Sequence, residues 1–265
     1  NSSAASDVYK RQDFHRSALL IGLKEEQTTG YNPIKLGVIA STDTHVSNPG
    51  NVKESDWAGS VVGEGTPVER LQKGILTSGI DGNPGGLAGI WAEQNTRDTI
   101  LNALLRKEVF GTSGPRIRPR FFAGWNINEN LCNVNEMISD AYASGVPMGG
   151  DLMPSRSKSF PKFLMHAAKD PEGLNIESIQ LVKGWIDEEG NMNTKVIPVL
   201  SEIGGAESLC KVYTDTEFEN SLPSYYYMRV VEPKSPRWHT YDCERLSEDD
   251  SPDECTHETY PSFIR

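Results

Sequence analysis

Asp43 and His45 are the residues in this sequence whose types and spacing best fit a chemical role. They end the string Ser-Thr-Asp-Thr-His, which directly follows an apolar run at residues 34–40. In an extended D-x-H sequence both side chains project to the same side, so a carboxylate oxygen and an imidazole nitrogen can bind one cation. Zinc, manganese and iron accept this mixture of ligands. The spacing therefore predicts a divalent metal site with Asp43 and His45 as metal ligands and catalytic residues.

A D-x-H sequence also has a purely structural interpretation, in which Asp43 caps a turn and His45 is a hydrogen-bonded loop residue. One such pair cannot hold a metal ion alone. The location favours the metal, because α/β proteins present catalytic residues from the carboxyl ends of their strands. Arg97 is a further candidate, since a guanidinium group can bind the oxygens of a substrate anion bidentately. An exposed position without a ligand is the ordinary alternative for this arginine.

The elements around these residues read as alternating helix and strand. Residues 14–27 have apolar side chains broadly on one helical side, and residues 34–40 form an apolar run that is typical of a strand buried on both faces. Residues 48–86 are rich in Gly, Pro, Ser and Asp, which predicts a long loop that is either a lid, a site wall or disordered. Residues 96–107 predict a helix with Thr96 as its N-cap.

The pattern changes after residue 115. Short apolar segments separated by Gly, Pro, Asp and Asn predict strands at 117–122, 163–168, 176–185, 195–199 and 225–231. We therefore expect an α/β region at residues 13–115 and an antiparallel, sandwich-like β-rich region at residues 116–265. Residues 1–12 read NSSAASDVYKRQ, which looks like a translated sequencing adapter, and are left out of the fold prediction.

Charge and apolar runs exclude some partners. The 265-residue chain has a formal net charge of -11 and a pI near 5.0. Such a field repels nucleic-acid phosphates and anionic lipid surfaces, so we expect a metal ion and a small-molecule substrate instead. The sequence contains no apolar run long enough to span a membrane.

The four cysteines, Cys132, Cys210, Cys243 and Cys255, lack the C-x-x-C spacing of a metal site. The favoured interpretation is free or buried thiols. A pair between Cys243 and Cys255 is the alternative, because they lie twelve residues apart in an acidic, loop-like stretch.

Several sequence motifs occur in a fixed order, and their combination is more specific for a family than any single motif. They are STDTH, NPGGLAGIWAEQNTRDTILNALLRKEVFGTSGPRI, GVPMGGDL, KDP, IQLVKGWID and PRWHTYDC. From residue 13 to 265 the chain closely resembles the bacterial family called domain of unknown function 3604 (DUF3604). That family is similar to the polymerase-and-histidinol-phosphatase (PHP) superfamily of metal-dependent hydrolases, which are built on a distorted α/β barrel. In this superfamily a D-x-H joins an N-terminal H-x-H around a metal cluster.

The resemblance implies the C-terminal part of a PHP-like barrel, with Asp43 and His45 as metal ligands and a phosphoester or related ester as substrate. It also implies an exported or periplasmic location. No H-x-H occurs in this sequence, so we expect an incomplete and inactive site. Two alternatives stay open: a binding or structural protein with a vestigial metal site, and a non-hydrolytic metalloenzyme such as a lyase.

Overall fold

The computed structural model describes residues 15–74, 78–155 and 159–256, together with 263–264. Its α-helices are α1 (His15–Thr29), α2 (Pro67–Leu71), α3 (Arg97–Arg106), α4 (Met137–Ser144) and α5 (Trp238–Glu244). Short 3₁₀ helices lie at Glu54–Asp56, Leu131–Asn133, Glu248–Asp250 and Asp253–Thr256. The helices predicted at residues 14–27 and 96–107 are both confirmed, as α1 and α3.

The strands are β1 (Leu87–Ile90), β2 (Val109–Thr112), β3 (Arg118–Gly124), β4 (Val146–Pro147), β5 (Lys162–Ala168), β6 (Ile176–Ile186), β7 (Met192–Ala206), β8 (Ser208–Thr214), β9 (Ser224–Val231), β10 (Ser235–Pro236) and β11 (Phe263–Ile264). They form four antiparallel sheets, in the orders β1-β2, β4-β3-β5-β8, β7-β6-β9 and β10-β11. All five strands predicted after residue 115 are present. The described residues contain no closed barrel.

The four-stranded and three-stranded sheets pack together through one apolar cluster. Phe163 and Met165 of β5 face Ile179 and Leu181 of β6, and all four side chains are at most 2% exposed. Alternate residues of each strand point into this layer, as the period of two in a strand requires. Phe121 of β3 stacks on Phe163 with ring centroids 5.8 Å apart. We call residues 118–231 the two-sheet region.

The strand predicted at residues 34–40 is absent, which corrects the sequence interpretation. No regular secondary structure occurs there, and Leu36, Val38 and Ile39 are 62%, 42% and 55% exposed. The apolar, β-branched composition predicted a buried strand. Among the described residues, however, no backbone group of residues 35–40 bonds to another backbone group, so no sheet includes the segment.

The described residues of the segment at 48–86 include regular elements and pack against the C-terminal part of the chain. The segment contains the first 3₁₀ helix and α2, and α2 has a complete capping box between Thr66 and Glu69. Trp57, Leu71 and Ile80 pack on Trp238 of α5, and Trp238 Nε1 donates to Gly82 O at 3.0 Å. A buried ion pair between Arg70 and Asp242, at 2.7 Å, joins the same two parts of the chain.

All four cysteines form disulfides, so the interpretation as free thiols is wrong. Cys132 is joined to Cys210, which ties the 3₁₀ helix after β3 to strand β8. Cys243 is joined to Cys255, which confirms the alternative pairing. None of the helices in the described part of the chain combines the length and apolar character that a membrane span requires.

Candidate metal centre

The Asp43–His45 pair lies on an exposed turn beyond segment 34–40. The backbone of Asp43 has φ 50°, in the left-handed region that aspartate tolerates better than most residues. The backbone N–H of His45 donates to Ser60 O at 2.7 Å, which fixes the turn to the following loop. Both side chains of the pair are exposed to solvent. The turn therefore holds a carboxylate and an imidazole at the surface.

The orientation of His45 is set by a hydrogen bond within the turn. Its Nδ1 lies 2.9 Å from the backbone oxygen of Asp43. A carbonyl oxygen can only accept, so in the neutral imidazole Nδ1 carries the proton and Nε2 keeps its lone pair. Metal-binding histidines commonly hold their second nitrogen in this way, on a carbonyl or a carboxylate. The arrangement suits coordination through Nε2.

The approach to the turn is held by a close contact with the two-stranded sheet. Gly86 N donates to Ser41 O at 2.9 Å. A Cβ built on Gly86 would lie 1.9 Å from Thr112 O and 2.8 Å from Ala40 Cβ, so a side chain at this position would separate the segment from β2. The sequence interpretation missed this role of Gly86, although the Gly-Gly pair at residues 85–86 is a signal for close backbone packing.

As a metal site the pair is a partial set of ligands. The described residues include no group of three or more His, Cys, Asp or Glu side chains that could hold a metal ion. An imidazole nitrogen and a carboxylate oxygen are suitable ligands for zinc, manganese or iron, yet two protein ligands fall short of the usual three or four. Asp43 and His45 fit such an ion only together with ligands from elsewhere.

Arg97 is not joined to this pair. It is the first residue of α3 and is exposed, and no hydrogen bond or ion pair links it to Asp43 or His45. Thr96 caps the helix by accepting from Thr99 N, as the sequence predicted. The assignment of Arg97 to substrate binding stays a prediction.

A large cleft lies apart from the candidate ligands. Its volume is about 1930 Å³, and it is bounded by α1, residues 34–38, the end of β2, the loop after β4, and β9. Asp43, His45 and Arg97 are absent from its lining. Apolar side chains of the two-sheet region, such as Phe121 and Tyr226, form part of its wall.

Glu232 is the most perturbed acid of this cleft. Burial raises the pKa of Glu232 to about 7, and the nearby charge of Asp170 adds to the effect. Its Oε1 atom is buried without a hydrogen-bond partner among the described residues. Asp170 is satisfied instead, because its carboxylate accepts from the backbone N–H groups of Arg116 and Glu172. Sequence patterns did not single out Glu232.

His166 lies half-buried in β5, and its Nδ1 atom is buried without a hydrogen-bond partner among the described residues. Its Nε2 is 3.0 Å from Ser208 Oγ. Burial lowers the pKa of His166, and the charges of Arg120 and Arg118 lower it further. Those two arginines make the position unfavourable for a metal cation.

A polar network joins α3 to the two-sheet region. Glu108 is 3% exposed and accepts hydrogen bonds from Arg106 at 2.7 Å and from Tyr142 Oη at 2.8 Å. Beside it the guanidinium group of Arg120 lies 3.3 Å from the ring centroid of Trp91. Because both carboxylate oxygens of Glu108 accept hydrogen bonds, we assign the network a structural role: it connects α3 to the two-sheet region.

These features define a mixed α/β protein with several antiparallel sheets and an exposed Asp-His pair. The model of the family described as "Protein of unknown function (DUF3604)" matches residues 1–203 and 198–262. The chain therefore belongs to the DUF3604 family. No curated protein and no solved structure matches this chain.

Proposed function

We propose that Asp43 and His45 contribute ligands to a divalent metal site of a hydrolase that acts on a small ester, such as a phosphoester. The observation that supports this most directly is the 2.9 Å hydrogen bond from His45 Nδ1 to Asp43 O, which leaves Nε2 available. A divalent ion held there would supply Lewis-acid polarisation of the ester and a lowered pKa for water. Zinc, manganese and iron are the ions that suit these ligands.

The role of this chain is to present two oriented ligands. The left-handed backbone of Asp43 and the contact of Gly86 with Ser41 hold the turn in place before any ion binds. Such pre-organisation lowers the cost of binding. The proposal requires further ligands, which by resemblance to the PHP superfamily would be an H-x-H on a neighbouring barrel strand. We therefore expect the chain alone to be inactive.

A binding function with a vestigial metal site is the second candidate, and the cleft favours it. The cleft has a volume of about 1930 Å³, and neither Asp43 nor His45 lines it. Ligand sites are usually the largest concave pockets of a protein, with polar groups that converge on the ligand. A ligand in this cleft would contact Glu232 and not the Asp-His turn.

The test is the metal content of the complete polypeptide that contains this sequence, measured by elemental mass spectrometry. The wild type, an Asp43→Ala/His45→Ala variant and an Asp98→Ala control are purified identically. Asp98 is also an exposed carboxylate, but it lies in the first turn of α3. We expect stoichiometric metal in the wild type and control and loss of most of it in the double variant. An equal metal content in all three proteins, or no metal in any of them, would refute the proposal and favour the binding function.

The orientation of His45 can be tested on this chain directly. Nitrogen-15 NMR of the five histidines should assign the proton of His45 to Nδ1, and addition of Zn²⁺ should shift its Nε2 resonance. His166 is the internal control, because its Nε2 faces Ser208. A proton on Nε2 of His45 in the absence of metal would contradict the geometry that supports the proposal.

A further inference from the structure

The large cleft contains a carboxyl group with one oxygen that lacks a hydrogen-bond partner. Glu232 directly follows β9 and continues the row that Tyr226, Met228 and Val230 form on one face of that strand, because alternate residues of a strand share a face. All four side chains line the cleft. The Oε1 atom of Glu232 is buried, and no described residue donates a hydrogen bond to it. This oxygen is therefore available to a donor group of a ligand.

A second acid of the cleft lies beside Glu232. A Cβ atom built on Gly173 would lie 3.5 Å from Glu232 Oε1 and 3.5 Å from Asp170 Cγ, so the two carboxyl groups flank the space in front of this glycine. Asp170 is 7% exposed and accepts from the backbone N–H groups of Arg116 and Glu172, which favour its charged form. We call Glu232 and Asp170 the acid pair.

The basic side chains around the acid pair are directed at other groups. Lys169 Nζ donates to Gly173 O at 3.4 Å, and Lys53 Nζ lies 3.8 Å from a carboxylate oxygen of Glu172. No described lysine or arginine forms an ion pair with either member of the acid pair. The negative charge of the pair is therefore not neutralised by a direct contact within the described chain.

We propose that the acid pair binds a small organic cation, a ligand with a protonated amine on an apolar body. The ammonium group donates to Glu232 Oε1 in the space in front of Gly173, and the charge of Asp170 adds to the attraction. The apolar body packs on the row that ends at Val230. The net charge of -11 raises the local concentration of such cations.

A divalent metal ion is a poorer match for the acid pair than an amine. The described residues include no group of three or more His, Cys, Asp or Glu side chains that could hold a metal ion. Both carboxylate oxygens of Asp170 already accept from backbone N–H groups. The inference gives a ligand class to the binding function of the cleft, and it is independent of the proposed metal site, because Asp43 and His45 do not line the cleft.

The test is an NMR titration of the nitrogen-15-labelled chain with benzylamine at about pH 8 in the presence of EDTA. Benzyl alcohol has the same ring without a charge and is the control ligand. The wild type should bind benzylamine at least about tenfold more tightly than benzyl alcohol, because hydrogen bonds between charged groups are the stronger ones. Glu232→Gln should remove this preference, and circular dichroism checks that the variant folds.

Asp151→Asn is the matched control variant. Asp151 also lines the cleft, but its carboxylate is already paired with Lys35 at 3.3 Å, so its loss should leave benzylamine binding unchanged. The Asp43→Ala/His45→Ala variant should also bind benzylamine like the wild type. Failure of this proposal and failure of the metal proposal therefore give different results.

Benzylamine binding should also weaken as the pH falls. Burial and the charge of Asp170 raise the pKa of Glu232 to about 7, against a smaller opposite effect of Lys169. Below this pH the carboxyl group must lose a proton before it can pair with the ammonium group. A change from about pH 8 to about pH 6 should weaken binding to the wild type roughly tenfold and have little effect on Glu232→Gln.

Three results would overturn the proposal. The first is a wild type that binds benzylamine no more tightly than benzyl alcohol, or binds neither of them. The second is unchanged benzylamine binding by Glu232→Gln, because the ammonium group would then lie elsewhere. The third is stoichiometric displacement of benzylamine by Mn²⁺ in the absence of EDTA, because the acid pair would then be a metal site.

Discussion

The two-sheet region and the segment at residues 15–115 place similar apolar patterns in opposite environments. In the two-sheet region, Leu181 of β6 and Met165 of β5 are fully buried between sheets. In the earlier segment, Leu36 and Leu105 are 62% and 71% exposed, although Leu36 belongs to the apolar run at 34–40 and Leu105 to a leucine-containing helix. The difference in burial depends on whether a neighbouring element covers the side chain.

This contrast shows what an apolar pattern does and does not specify. Strands β3, β5 and β8 pair in one sheet and β6 and β9 pair in the other, so each sheet covers the apolar face of the other. Segment 34–40 lies beside β2 and α1 but pairs with no strand in the described part of the chain, and α3 turns Leu101, Leu104 and Leu105 to solvent. Burial requires a second surface, which local sequence does not encode.

The largest expected effect separates the two disulfides. In the chain-entropy description a disulfide stabilises more when it closes a longer loop. Cys132–Cys210 spans 78 residues and Cys243–Cys255 spans 12. We expect Cys132→Ala/Cys210→Ala to lower the free energy of unfolding by about 4.5 kcal/mol and Cys243→Ala/Cys255→Ala by about 3 kcal/mol. Urea denaturation measures both.

Reduction of the wild type with a thiol serves as the control for these variants and should reproduce the sum of both losses. An equal loss in the two double variants would show that residual structure in the unfolded chain, and not loop length, sets their contributions. A larger loss for the Cys243–Cys255 variant would mean that the packing of α5 on Trp57, Leu71 and Ile80 contributes more to stability than the longer disulfide loop.

The sequence predicted most elements but few of their contacts. Periodicity located five of the nine described strands after residue 115 and the N-cap Thr96, because these depend on neighbouring residues, and it missed β4, β8, β10 and β11. It failed for segment 34–40, since a strand exists only when a partner pairs with it. The Cys132–Cys210 bond was beyond sequence reasoning for a similar reason: its two cysteines meet only after β8 has paired with β5.

For the candidate site the same division holds. Asp43 and His45 were chosen from spacing, and their mutual hydrogen bond is local. The hydrogen bond that holds their turn joins Gly86 and Ser41, which are 45 residues apart in the sequence. No local sequence pattern predicted it. The raised pKa of Glu232 depends on burial and on Asp170, which lies 62 residues earlier. Long-range electrostatics of this kind leave no sequence pattern.

A matched pair of truncations tests the contrast between buried and exposed apolar residues. Phe163→Ala removes a ring that is 2% exposed and contacts Phe121 and Tyr226. We expect a loss of about 4 kcal/mol in the free energy of unfolding, from lost burial and the cavity left behind. Leu105→Ala, at a side chain that is 71% exposed, should change it by less than about 0.5 kcal/mol.

Denaturant unfolding of both variants gives the comparison. A loss above about 2 kcal/mol for Leu105→Ala would mean that α3 is covered in solution, which would make the earlier segment as well packed as the sheets. A loss below about 1 kcal/mol for Phe163→Ala would mean that the two sheets do not form one core.

The smallest expected effect concerns Glu232, on the cleft between the two regions. Burial and Asp170 raise its pKa from 4.5 to about 7 in the folded protein. The folded state therefore binds a proton that the unfolded state has released between these pH values, so this contribution to stability is complete below pH 4.5 and is lost as the pH rises to about 7. Because the side chain is only half-buried, solvent screening reduces the expected effect to about 1 kcal/mol.

Glu232→Gln keeps the shape of the side chain but cannot ionise, so it should remove this part of the pH dependence. Denaturation at intervals from pH 4.5 to 8 should show a flatter profile for the variant than for the wild type. Asp187→Asn is the control, because Asp187 lies in the β6–β7 hairpin and its pKa is lowered rather than raised. Identical profiles for Glu232→Gln and the wild type would mean that water enters the cleft freely, so that neither region buries this carboxyl group.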